Sequence, residues 1–408
     1  MKILLVSSYL PYPLFSGGHI RLFNIIKELS KRHKITLVCE KRDYQTDKDV
    51  NEVKKLCENV IVFRRKKQWS MENIIKTAFS REPFLVVGHT NRSMRIKIEE
   101  LLTMEKFDLI HAETFYIMQN IPKTRIPIVL AEHNIEYLVY KRYADLAPKI
   151  FKFLFYVDVW KMKTSERSFW LKASRIIAVS EEEKKIIGYR NVSVVPNGVD
   201  LKQFRIQNSE FRIQNGEKRV LFIGDFKWMQ NIDSAKWILK DIWPEISSKF
   251  PTSPMLRGAS KVHSSKLTLW IVGKNIPESI KKLVSNQEDI IFDEDNRQKT
   301  SEIFQQADVL LAPIRVGGGT SFKILEAMAS GVPVVATRLG IEGIAARDKE
   351  EVLIADDPSL IAFKTTEILN NNNHYQEIAI KARRLIEEKY DWKIIVKKLE
   401  EVYSSAVK

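Results

Sequence analysis

The stretch Ala307 to Pro333, ADVLLAPIRVGGGTSFKILEAMASGVP, constrains the fold of this chain more than any other. Ala307–Pro313 reads as a short buried strand, Gly317, Gly318 and Gly319 as a loop, and Thr320–Ser330 as a helix closed by Gly331 and Pro333. The glycines allow a tight turn that brings backbone amides close to a ligand. The helix start adds unpaired N–H groups and the positive end of a dipole, so the unit is an anion cradle. Lys323 falls in the first helical turn and Glu326 projects from the same face three residues on. A cation for phosphate and a carboxylate for hydroxyls therefore sit about one turn apart. The same spacing equally fits a core helix that buries Phe322, Leu325 and Met328 and leaves Lys323 and Glu326 as a solvated pair.

Strand, glycine loop and helix recur along the chain. Lys2–Ser8 is apolar and β-rich, a loop ends at Gly17 and Gly18, a helical pattern runs from about Ile20 to Arg32, and Lys34–Cys39 is the next strand. This is a βαβ unit of a doubly wound sheet, in which ligands bind at the carboxyl ends of the strands. Gly17 and Gly18 are thus candidate contacts for a phosphate or an acceptor, or simply a tight turn. Further strands are expected at Val60–Phe63, Leu109–His111, Ile126–Ala131, Ile176–Val179, Val192–Val195, Lys218–Ile223, Leu267–Val272, Ile290–Phe292 and Val334–Thr337. A chain of 408 residues suits two domains of roughly 200 residues each.

GGGTSFKILEAMASGVPVVAT resembles the donor-binding segment of glycosyltransferase family four, the retaining GT-B enzymes, and within them a bacterial subgroup with GGGT-x-x-KILEAMA. EHN-x-E at residues 132–136, PNGVD at 196–200 and Tyr390-Asp391-Trp392 are similar to further signposts of that family. The resemblance implies an α/β GT-B fold, two Rossmann-like doubly wound domains facing a cleft. An acceptor-side domain would span 1–200, a linker 201–217, a nucleotide-sugar domain 218–385 and a crossover helix 386–408. It also implies that Glu326 binds the ribose of a nucleotide-sugar donor, and that Gly317, Gly318, Gly319, Thr320, Ser321 and Lys323 line the phosphate region. His133 and Lys323 become the catalytic candidates. Lys227, in GDFKW, stands in for part of an Arg–Lys pair that grips the diphosphate in much of the family. Two positions depart from the pattern: Gly318, where many members carry a glutamate, and Asp225, where a cation is usual. They favour an alternative expectation, a non-catalytic protein of the same fold that binds a sugar nucleotide or a partner enzyme.

The remaining features narrow the reading. His111 ends a strand in LIHAET and is assigned to the acceptor or phosphate loop with Gly17 and Gly18, against the plainer reading of a structural histidine. Asp293-Glu294-Asp295 is an Asp-x-Asp, read as an acidic surface turn, so no metal and no cofactor beyond the donor is expected. Cys39 and Cys57 lack ligand-like neighbours and read as buried thiols in a reducing compartment. The net charge of +15 calls for a polyanionic neighbour. Nucleic acid is disfavoured because no helix-turn-helix, zinc-finger or RNP pattern is present, which leaves diphosphate ligands and anionic membrane. Lys149–Lys172 mixes aromatic and basic residues at helical spacing, either for a membrane surface or as a core helix with one solvated face. With too short an apolar run at the N-terminus for a signal peptide and none of the 18 or so residues needed to span a bilayer, the expected location is cytoplasmic or peripheral. A lipid-linked or polymeric glycan acceptor follows from the resemblance. A dinucleotide oxidoreductase is disfavoured because the first βα loop lacks Gly-x-Gly-x-x-Gly. FRIQN occurs twice, at Phe204–Asn208 and Phe211–Asn215, and reads as a linker extension, while Phe250–Ser265 reads as a surface insertion.

Overall fold

The structure, a computed structural model, describes residues 1–206, 217–250, 266–284, 287–294, 298–316 and 319–408. Outside the described residues lie the second FRIQN copy, nearly all of the 250–265 stretch, Asp295, Gly317 and Gly318. The chain divides into two compact units, one formed by Met1–Asn197 with Trp392–Lys408 and the other by Gly198–Asp391.

The first unit is built on a parallel sheet of β1 (Lys2–Ser7), β2 (Lys34–Lys41), β3 (Asn59–Arg64), β4 (Leu109–Glu113), β5 (Ile128–Ala131), β6 (Arg175–Ala178) and β7 (Val192–Val194). The strand order is β3-β2-β1-β4-β5-β6-β7. Ile3, Leu4, Leu5 and Val6 of β1 are all fully buried, the continuous apolar run expected of a central parallel strand covered on both faces. In the register of the sheet Ser7 lies opposite Glu113, and Glu113 opposite Ala131. The winding reverses direction between β1 and β4, so the crevice where a doubly wound sheet takes its ligand opens at Ser7 and Glu113.

The second unit repeats the plan with β8 (Glu217–Ile223), β9 (Lys266–Val272), β10 (Ile290–Asp293), β11 (Val309–Ala312), β12 (Val334–Ala336) and β13 (Leu353–Ile354), in the order β10-β9-β8-β11-β12-β13. Side chains alternate across this sheet. Val220, Phe222, Leu269 and Ile271 enter one core with Trp243, whereas Leu221, Trp270 and Val272 enter another with Ile324, Leu325 and Met328. Its winding reverses between β8 and β11.

The first helix differs from expectation: it runs Gly17–Leu29, so Gly17 and Gly18 form its opening turn rather than the end of a loop. The helical segment after β8 is made of Met229–Trp237, a π turn at Ile238–Ile242 and a last segment Trp243–Ser248. Pro244 lies just inside that segment, and its missing N–H removes a donor from the ladder where the register changes.

Candidate functional sites at the two carboxyl edges

In the first unit the end of β4 delivers Glu113, fully buried, to two histidines. Its carboxylate accepts from His111 Nε2 at 2.6 Å and from His133 Nε2 at 2.5 Å. Tyr403, on the helix Trp392–Val407, reaches His111 Nδ1 at 2.6 Å. A carboxylate only accepts, so each Nε2 carries a proton, and a neutral His111 accepts the Tyr403 hydroxyl at Nδ1. The order is Tyr403 to His111 to Glu113, with His133 donating to the same carboxylate. Burial alone would raise Glu113, but the two imidazoles hold it well below the usual carboxylate range.

His133 is the member of this group that meets solvent, its side chain 16% exposed. Nε2 is committed to Glu113, so Nδ1 is the nitrogen left for a ligand. A Cβ built on Gly18 would lie 3.5 Å from that Nδ1 and 3.1 Å from the Tyr9 hydroxyl, so the glycine in the first helical turn leaves this nitrogen uncovered. The Tyr9 ring packs edge-on against both His133 and His19. Glu136, which completes the EHN-x-E run, opens the helix Glu136–Leu146. Its N–H and that of Tyr137 donate to buried Glu166 at 2.9 and 3.2 Å. Burial pushes the Glu136 carboxyl up to about 7 and that of Glu166 up to about 8.

Expectations for His111 need correction. Its ring is buried with both nitrogens engaged, so it presents nothing to an acceptor and instead shares the Glu113 carboxylate with His133. Arg21, three residues after Gly18, is also internal: its guanidinium donates to Val195 O, Pro196 O and Asn197 Oδ1 and holds the start of the PNGVD run.

In the second unit the end of β11 leads through Pro313–Val316 to Gly319 and the helix Phe322–Ala329, which starts two residues later than expected. The loop root is pinned by Ser234 Oγ to Pro313 O at 3.0 Å and Thr337 Oγ1 to Ile314 O at 2.5 Å. Gly319 has φ +86°, a left-handed conformation that favours glycine. Thr320 is nine-tenths buried, and its hydroxyl has no hydrogen-bond partner among the described residues. Ser321 occupies the N-cap without lending its hydroxyl to the first turn.

Lys323 and Glu326 are both half-buried on this helix and make no ion pair with each other. Lys323 Nζ donates to Asn231 Oδ1 at 2.9 Å and lies 4.8 Å from the centre of the Phe222 ring. Burial lowers its pKa to about 8 and raises that of Glu326 to about 8. The Glu326 carboxylate has no hydrogen bond or ion pair among the described residues. Asn231 also donates from Nδ2 to Asp225 O at 2.8 Å, and a Cβ on Gly224 would strike its amide at 2.7 Å. One asparagine thus joins the end of β8 to the lysine of the other helix. Lys227 is exposed in the same loop, and Asp225 accepts from Lys227 N at 3.0 Å and Asn275 Nδ2 at 2.9 Å. In the acidic turn, Glu294 accepts from Ile276 N at 2.9 Å and from Lys281 Nζ, and no metal-holding group of side chains occurs among the described residues.

The reversal point of the first sheet carries a partly exposed histidine, and that of the second a lysine, a carboxylate and a helix start whose N-cap hydroxyl makes no cap hydrogen bond. Residues 15–203 match the family described as Glycosyltransferase Family 4, and residues 217–371 that described as Glycosyl transferases group 1. The chain belongs to the family-four, GT-B superfamily of glycosyltransferases. A relative described as an uncharacterized protein in the cps region of Klebsiella pneumoniae is 25% identical over 96% of this chain and 97% of its own. Among solved structures, sucrose-phosphate synthase from Thermosynechococcus elongatus aligns with this glycosyltransferase at TM-score 0.70 and 13% identity, over 99% of each chain. The Anabaena protein HepE in complex with UDP aligns at TM-score 0.65 and 16% identity, over 99% of this chain and 100% of that one. These likenesses place both sheets of the glycosyltransferase in the Rossmann-like, GT-B arrangement of parallel strands.

Glu113, Tyr403 and Asn231 are the residues sequence reasoning missed. Glu113 had a readable signal, since His111 and Glu113 two apart on a strand share a face. Asn231 lies 92 residues from Lys323, and Tyr403 lies 292 from His111, with no pattern linking them.

Proposed function

We propose that the chain is a retaining, metal-independent hexosyltransferase that moves a sugar from a nucleotide diphosphate sugar to a glycan or lipid-linked acceptor, in synthesis of a bacterial envelope or exported polysaccharide. The observation that carries this reading is the unsatisfied polarity at the start of the helix Phe322–Ala329: among the described residues, a lysine whose only hydrogen-bond partner is a neutral amide, a carboxylate with none and a buried threonine hydroxyl with none. Such groups cost free energy until a ligand pairs them. A diphosphate supplies acceptors for Lys323, Thr320 and the first-turn amides, and Ser321 and Gly319 belong to the same rim. A ribose supplies hydroxyl donors for Glu326. The UDP held by the Anabaena neighbour and the cps-region setting of the Klebsiella relative support this donor class and pathway. The GGGT-x-x-KILEAMA subgroup supports the lysine as phosphate ligand, with Lys227 as a second cation.

In the transfer, the bond from the anomeric carbon to the diphosphate oxygen breaks and the acceptor oxygen bonds to the same face of that carbon. The acceptor proton passes to the departing phosphate oxygen. Lys323 and the helix amides stabilise the charge that develops there. His133, oriented by Glu113, offers Nδ1 to a sugar or phosphate oxygen.

A thermal-shift panel of UDP-, GDP- and ADP-sugars against wild type and Glu326→Ala, with and without magnesium, tests the donor reading. Stabilisation by one nucleotide family that the variant abolishes and magnesium leaves unchanged is the expected result. The second reading, a non-catalytic binder, is favoured by Asp225 where a cation is usual. It predicts no shift, or a shift without release of nucleotide diphosphate on incubation with the sugar donor.

A further inference from the structure

The first unit carries a surface that neither site uses. Helix Met71–Phe79 buries only Asn73, whose Nδ2 donates to Lys67 O and Gln68 O. Met71, Ile74, Ile75 and Phe79 fall at spacings that gather them on one face, and all four are exposed, Phe79 to 91%. This is an amphipathic stripe turned to solvent.

Helix Lys149–Lys172 is divided along its length. Its buried residues all lie from Val159 onward, whereas every apolar side chain from Ile150 to Val157 is exposed, with Ile150 at 80% and Phe153 at 74%. The two helices are tied together, since Lys161 Nζ donates to Thr77 O at 2.6 Å, and Phe84 N, at the start of the next helix Phe84–His89, donates to Asp158 Oδ1 at 2.8 Å. Trp160, 66% exposed, follows on the same helix.

We propose that this face docks the protein on an anionic lipid surface. Residues 150–157 make more than two helical turns, so their apolar side chains surround the helix rather than line one side. A helix end that is apolar on every side is one that water does not suit, and the boundary between lipid headgroups and acyl chains offers it an apolar medium. The charges agree. Lys66, Lys67, Lys76, Lys149 and Lys152 share these segments, and the acidic residues within 66–79 and 149–160 are Glu72, paired with Lys76, and Asp158, engaged by Phe84 N. Lysine stems reach past buried apolar groups to place their ammonium at headgroups, and exposed Trp69, Tyr156 and Trp160 suit the same interfacial layer. A second copy is a poor occupant, because two chains of net charge +15 repel. No helix among the described residues is long and apolar enough to cross a membrane, so contact is with the surface.

Flotation of the full chain with phosphatidylcholine vesicles, with and without phosphatidylglycerol, at low and high salt, tests the assignment. Binding should require phosphatidylglycerol, weaken as salt rises, and fall about ten-fold or more in a Phe79→Glu, Phe153→Glu double variant. Those side chains are exposed, so the variant should keep its melting temperature and its nucleotide response. Vesicle binding without a nucleotide response would remove the donor reading and leave this one standing. No flotation with anionic vesicles at low salt, or equal binding to neutral ones, would overturn it. So would a stable dimer that the same variant dissociates, which makes the face a contact between copies.

Discussion

At the carboxyl edge of the first sheet, buried charge is saturated: Glu113 takes one hydrogen bond from each of two imidazoles, and the chain of contacts continues to a tyrosine of the C-terminal helix. At the corresponding edge of the second sheet, Lys323 has a neutral amide and Glu326 has no hydrogen bond among the described residues. The sheets share one winding plan, so the difference lies in what the strand ends carry. A saturated group fixes the geometry of its neighbours before a ligand arrives. An unsatisfied pair raises the energy of the empty site and lowers it when a ligand with complementary groups binds. On the proposed function, the first edge orients one histidine and the second recognises a charged, hydroxylated ligand.

Removing the saturated group should have the largest effect. Glu113→Ala leaves two buried imidazole N–H groups without an acceptor, a loss of about 3–5 kcal/mol. Hydrogen exchange in β4 and β5 should rise while β8 and β11 keep their protection, and unchanged exchange in β4 would mean that the histidines find other acceptors. The matching change in the second unit is Asn231→Ala, which strips Lys323 of its partner and should cost about 1.5–3 kcal/mol. A bound nucleotide diphosphate should recover most of that loss, as read by thermal shift. Failure of the nucleotide to do so would argue that Lys323 does not face the phosphates.

The strands were legible from residue pattern because runs such as KILLVS and VLLA are buried on both faces, and nothing but a central parallel strand uses them. Helix starts were less so. Gly17 and Gly18 signal a loop on composition, yet a helix opens there, and a Cβ on Gly18 would crowd the Tyr9 hydroxyl at 3.1 Å, so close packing rather than a loop accounts for that glycine. At the sites, His133, Lys323 and Glu326 could be named because local motifs carry them. Their partners could not, with the exception of Glu113, since partnership depends on which strand lies beside which. His111 shows the cost of reading a residue alone: a strand-end histidine is equally a ligand or a support, and only the position of Tyr403 makes it a support.

A smaller test addresses that support. Tyr403→Phe keeps the ring packed against His111, with centroids 5.8 Å apart, and removes only the hydroxyl, at about 0.5–1.5 kcal/mol. If the relay orients His133, the variant should slow sugar transfer with little change in donor KM, and the nitrogen shifts of the imidazoles should move. A loss of stability with no change in either would reduce Tyr403 to packing.

The smallest effect is a slope rather than a step, and it separates the two edges by pH. Glu326 is raised to about 8 in the fold, so the folded state keeps a proton that the unfolded chain has lost, and its contribution to stability falls as pH rises toward 8. Lys323 is lowered to about 8, so above that pH the unfolded chain holds the extra proton and stability recovers. The empty second unit should therefore be least stable near pH 8, by a few tenths of a kcal/mol per pH unit on either side after solvent screening. Glu326→Gln should remove the falling limb alone, and Lys323→Met the rising limb alone. Glu113 behaves oppositely: its depressed pKa contributes stability throughout this range, lost only as pH falls below the ordinary carboxylate value. Urea midpoints followed unit by unit by hydrogen exchange from pH 6 to about 10 should show a minimum in β11 and none in β4. Matching profiles in the two units would mean that the lysine and the carboxylate are already paired in the empty site, and the contrast between the edges would disappear.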